Sequence, residues 1–123
     1  MLARRARLWG KRVFADIISP YVALLCPTRT GLAPEVNDAT IGWQLSPHNH
    51  TSIWNLVGFP AVSVPMGFSR TKLPMGLQIV GISGSDRRTL AVAAHFQSVT
   101  TWHRTRPPMA HDWSTRRALE IPL

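Results

Sequence analysis

Apolar residues recur at Leu2, Ala6, Trp9, Val13 and Ile17, spaced by four, three, four and four, with Arg4, Arg5, Arg7, Lys11 and Arg12 among them. This period predicts an amphipathic helix with one apolar stripe and an opposed basic face, ended by Pro20. Residues 21–26, YVALLC, are continuously apolar up to Pro27, the pattern of a strand buried on both faces. Turn formers then dominate residues 27–47, a long connection of the kind usually tied to function or to a larger scaffold. Thr51 or Asn49 caps a short helix running through Val57, which Gly58 and Pro60 end. Residues 61–64, AVSV, predict a second buried strand bracketed by Pro60 and Pro65, and residues 67–74 a turn. Residues 77–80, LQIV, predict a third strand paired with the second. Ser85 reads as an N-cap, with Asp86 in the first turn of a helix over residues 87–100. Leu90, Ala93 and Ala94 mark one packing face of that helix and Val92, Phe96 and Val99 another, so both are expected to be covered. Beyond Trp102, Pro107, Pro108 and Pro122 mark a tail that wraps a surface.

At 123 residues and 45% hydrophobic content, the chain is at most one small domain, and disorder is excluded. The excess of 14 Lys+Arg over 6 Asp+Glu is uneven, because five cations precede the first acid, Asp16. Residues 39–69 carry no charged side chain at all, which suits burial within a larger protein body. The best apolar run, residues 17–28, is too short for a membrane span and is broken by Pro20. Asp16 and Pro20 likewise interrupt what an export signal would need, so a cytoplasmic location is expected. The single cysteine, Cys26, excludes an internal disulfide and is compatible with a reducing compartment.

Candidate chemistry is thin. GISGS, residues 81–85, lacks the final glycine of a nucleophile elbow and reads as a strand-to-helix turn. Cys26, at the end of a buried strand, reads as a packed core thiol. Lys11 and Lys72 lie on a charged helical face and in a turn, where solvated ammonium groups belong. His48 and His50 have no acidic or thiol partner nearby in sequence, so no metal is expected, and no cofactor. The basic residues 4–12 could meet nucleic acid or an acidic partner, but no recognition motif accompanies them, and a solvated face is the simpler reading.

Residues 55–81, NLVGFPAVSVPMGFSRTKLPMGLQIVG, resemble the C-terminal part of amidase signature enzymes. That family shows an Asn-Leu-x-Gly-x-Pro-Ala turn, a strand ending in Val-Pro, a Gly-Phe turn, a Leu-Pro-x-Gly pair and a Leu-Gln-Ile-Val-Gly strand, all in this order here. Trp102-His103-Arg104 with Arg106-Pro107-Pro108 resembles the family's C-terminal end, and YVALLCPT its buried strand before Pro-Thr, although Val22 stands where aspartate is common.

The resemblance implies an α/β fold, a mixed β-sheet flanked by helices, of which this chain supplies an incomplete sheet. Residues 1–19 would be the basic helix, 20–108 the sheet and helix portion, and 109–123 a tail. Gly58 and Gly76 would permit close backbone approach, Pro60 and Pro65 would bracket a strand, and Gln78 would satisfy backbone groups. Ile53, Trp54 and Asn55 are the candidates for a substrate-pocket wall, though Ile53 and Trp54 fit a core role equally. The family's serine, second serine and lysine lie on a Gly/Ser-rich segment that nothing here matches, so no catalytic residue is assigned. The chain is expected to be inactive alone, to act with the N-terminal half of an amidase, and to help bind a small-molecule amide. The alternative is a basic binding module using residues 4–12. In the A subunits of glutamyl-tRNA amidotransferases an aspartate handles glutamine's polar end, and counting back from Asn55 places His48 there, which favours an apolar or aromatic amide.

Overall fold

The computed structural model describes residues 2–33 and 49–106. In chain order these form α1 (Leu2–Ile18), β1 (Leu24–Pro27), α2 (Ser52–Val57), β2 (Ala61–Phe68), β3 (Pro74–Val80), α3 (Asp86–Ser98) and a 3-10 turn at Trp102–Arg104. His48, the 27–47 connection beyond Ala33 and the tail after Arg106 lie outside the described residues.

The strands form one sheet in the order β1-β3-β2, with both pairs antiparallel. LQIV is its centre, with Gln78, Ile79 and Val80 all buried, as the apolar run requires of a strand flanked on both sides. The mixed pairing expected of the whole family sheet is not present among the described strands. Alternation along β3 separates two cores. Val80 packs with Ile18, Trp54, Val57 and Phe59 under α1 and α2, whereas Ile79 packs with Val64 and Ala93 under α3. The result is a sheet between two helical layers, an incomplete α/β sandwich.

Several expected elements shift. β2 runs through Pro65 to Phe68 rather than stopping at the proline, with a bulge between Pro65 and Gly67. Pro65 is tolerated because β2 is an edge strand among the described residues, where a missing N–H costs no ladder bond. The turn shrinks accordingly to the 69–73 loop, closed by the Ser69 N–H donating to the Leu73 carbonyl at 2.9 Å. β1 begins at Leu24, and Tyr21, Val22 and Leu25 are exposed, so it is not buried on both faces. Its apolar run is continuous because the sequence fits a doubly covered strand, but α3 does not reach over it here. Ala61 and Ser63 of β2 are exposed on the opposite face, the one that carries α1 and α2.

The helices are also covered on one side only. α1 turns Gly10, Phe14 and Ile18 inward, while Leu2, Trp9 and Ile17 of the expected stripe face solvent. Two adjacent stripes satisfy helical spacing, and contact with α2 selects the one where Gly10 lies against Val57 and Phe14 meets Trp54. α3 buries Thr89 and Ala93 and half-buries Val92 and Phe96, but Leu90, Ala94 and Val99 are exposed. Ser85 stands at the helix start without capping through its side chain. Its hydroxyl donates to the Ile82 carbonyl at 2.7 Å instead. Gly58 ends α2 at φ 73°, so its requirement is left-handed backbone rather than close approach.

Candidate functional site

Three polar features converge on the sheet face that carries α1 and α2. The first is the Asn49 turn, whose Oδ1 accepts from the Thr51 N–H at 3.0 Å and from the Thr51 hydroxyl at 2.6 Å. A bridge between Arg29 and Asn49, and the His50 N–H donating to the Thr28 carbonyl at 3.3 Å, pin this turn beside the end of β1. The chain therefore enters α2 from a fixed point, which sets the direction of Ile53, Trp54 and Asn55.

Those three residues diverge. Trp54 is 5% exposed, with its ring edge-on to Phe14 at 5.1 Å and its Nε1–H donating to Gln78 Oε1 at 3.0 Å. Ile53 is half-buried against the same cluster, and Asn55 is exposed. Gln78 Oε1 also receives the Cys26 thiol at 3.6 Å, so the glutamine satisfies two side chains where a backbone role was expected. Replacing Trp54 by Ala should cost about 3–5 kcal/mol through the lost ring and cavity. Trp54→Phe should cost only about 1–2 kcal/mol, chiefly the acceptor left short of a donor. Hydrogen exchange at the β3 amides reads both, about tenfold faster per 1.4 kcal/mol, and equal acceleration in the two variants would refute a core role for the ring.

Burial raises the Cys26 thiol above its ordinary value. A raised folded value contributes stability that is complete below the ordinary thiol range and is lost as pH rises through the folded value. Because the thiolate is the nucleophile, Cys26 should alkylate with iodoacetamide more slowly than free cysteine at pH 8, and at the free rate in urea. Fast labelling of the folded chain would show that the thiol is not held in this packed setting.

The third feature is one that sequence reasoning missed. The hydroxyls of Thr28 and Ser63 lie 2.6 Å apart across Gly76, where a Cβ would fall 2.8 and 2.9 Å from them. Gly76 thus fulfils the expectation of close approach. Beside this pair, a hollow of about 310 Å³ opens between Arg29, Gly31, Met66 and Met75. Only the pairing of Thr28 with a serine two strands away reveals it, and that depends on register. Two hydroxyls in contact supply no general base at neutral pH, so the arrangement binds and orients rather than attacks. Among the described residues, His, Cys, Asp and Glu do not gather in groups of three that could hold a metal ion.

Known proteins share this layout. The amidase family model matches residues 2–90. The A subunit of glutamyl-tRNA(Gln) amidotransferase from Dehalococcoides mccartyi is 34% identical over 109 residues, covering 85% of this chain and 22% of that protein. Its counterpart from Thiobacillus denitrificans is 37% identical over 97 residues, covering 76% and 20%. That of Legionella pneumophila is 51% identical over 53 residues, covering 43% and 11%. The crystal structure of the Thermotoga maritima counterpart matches with a TM-score of 0.70 and 28% identity, covering 79% of this chain and 22% of that one. This chain thus spans about a tenth to a fifth of the length of these curated relatives. An uncovered sheet, a motif-bearing hairpin and a match confined to one portion of much longer proteins have one explanation: the chain belongs to the amidase family, as part of an amidase-type enzyme.

Proposed function

We propose that these residues form the C-terminal framework and one wall of the substrate funnel of an amide-bond hydrolase. The reaction is acyl transfer from an amide to water, carried by a serine nucleophile and an oxyanion site on a partner segment, the N-terminal half of an amidase. The observation that carries this reading is the apolar surface that ordered helices and strands leave in water, including Trp9 of α1 at 70%, Leu90 of α3 at 60% and Leu25 of β1 at 55% exposure. Asn55 and Ile53 supply the wall, and Trp54, buried behind them, braces it. An apolar or aromatic amide is the preferred substrate class, because His48 occupies the position where glutamine-handling relatives are expected to hold an aspartate. The single cysteine supports a reducing, cytoplasmic setting. No helix among the described residues is long and apolar enough to cross a membrane.

The test is complementation. Co-expression with the N-terminal portion of a related amidase should yield a stable pair that hydrolyses aryl amides, and Asn55→Ala should raise KM more than it lowers kcat. A pair that forms and turns over equally well with Asn55→Ala would remove Asn55 from the wall.

The basic-module alternative draws no support from the comparisons. Arg4, Arg5, Arg7, Lys11 and Arg12 are all exposed on α1. About five phosphate contacts supply only weak affinity, and releasing roughly one counterion per contact should make any nucleic-acid binding fade steeply with salt. Sequence-selective binding that survives roughly physiological salt, in a titration against short duplexes, would revive the alternative.

A further inference from the structure

A second hollow, of about 440 Å³, lies between the β2–β3 hairpin and the 3-10 turn and shares Pro74 with the first. Its floor is apolar, built from Pro65, Phe68, Pro74 and Trp102, and its rim carries Lys72 and Arg106. Neither Asp nor Glu is among the lining residues. Both walls are held in place. Trp102 meets Phe68 edge-on at 6.1 Å, and Phe68 pairs with Pro74 at the end of the hairpin. Lys72 sits at φ 64°, a backbone setting uncommon for lysine, with its N–H donating to the Ser69 carbonyl at 3.0 Å. The Ser69 hydroxyl accepts from the Leu73 N–H at 3.1 Å and fixes the loop on which the lysine stands.

From this geometry we propose that the groove binds a small aromatic carboxylate. A bicyclic ring fits the volume and stacks against Trp102 and the proline rings, as ligand clefts of this size commonly allow. The carboxylate meets the guanidinium of Arg106, whose planar fork suits it, and the ammonium of Lys72. A neutral ring would leave both cations unused, and an inorganic anion would leave the apolar floor in water.

Isothermal titration of the full chain with 2-naphthoate and with the neutral 2-naphthalenemethanol tests this. The expected result is saturable binding of both, with the carboxylate tighter by about fivefold, as exposed ion pairs allow. The surface variant Lys72→Gln/Arg106→Gln should erase that preference, and Trp102→Ala should weaken both ligands. Arg4→Gln/Arg5→Gln, which removes equal charge from α1, should change neither. Equal affinity for the two ligands, a preference that persists without Lys72 and Arg106, or an absence of saturable binding would each overturn the proposal.

Discussion

The 123-residue chain on its own is expected to hydrolyse no amide above the uncatalysed rate. Enzymes accelerate such reactions by about a millionfold or more, and covalent catalysis with a positioned base and oxyanion donors supplies most of that factor. The hydroxyls of Thr28 and Ser63, which line the Arg29 hollow, spend their contact on each other. Cys26 donates to Gln78, and its raised pKa keeps it a thiol. Positioning surfaces such as Asn55 or the Arg29 hollow lower KM only when chemistry is already supplied. A panel of aryl and aliphatic amides, assayed with the purified chain and with Thr28→Val/Ser63→Ala, should give background rates in both. Turnover that purifies with the chain and disappears in the double variant would establish a nucleophile here and refute the framework reading.

The parts of the fold that were legible in the sequence are those set by local chemistry. Pro20, Gly58 and Pro60 stop elements where expected, and LQIV is a buried central strand because its residues suit cover on both sides. What was not legible depends on which neighbours are present. The stripe of α1 from Leu2 to Ile17 has good helical spacing, yet the one beside it is buried, since only contact with Trp54 and Val57 decides between them. Pro65 reads as a stop, but an edge position removes its penalty, and no local pattern marks an edge.

The site divides in the same way. The Asn-Leu-x-Gly-x-Pro-Ala run at residues 55–61 locates the turn after α2, and Gly76 announces a close approach. That Trp54 points inward to Gln78 while Asn55 points out follows from where the Asn49 turn is anchored, a long-range contact to Thr28 and Arg29. Similarly, the Phe68–Trp102 contact joins residues far apart in sequence, and it brings together the two sides of the cation-rimmed groove.

Association of the isolated chain follows from the same uncovered surfaces. The outer edge of β2 has no ladder partner among the described residues, and such edges template pairing with other chains. Leu2 is 85% exposed, and Tyr21, Val22 and Leu25 leave an apolar band beside β1 that water solvates poorly. In a whole amidase domain, further strands and helices would cover both regions. Sedimentation velocity of the 123-residue chain at micromolar concentration, followed by thermal unfolding of the same sample, tests most directly whether it is one part of a larger sheet. The account predicts concentration-dependent oligomers, and a compact monomer with a single sharp transition at every concentration would contradict it.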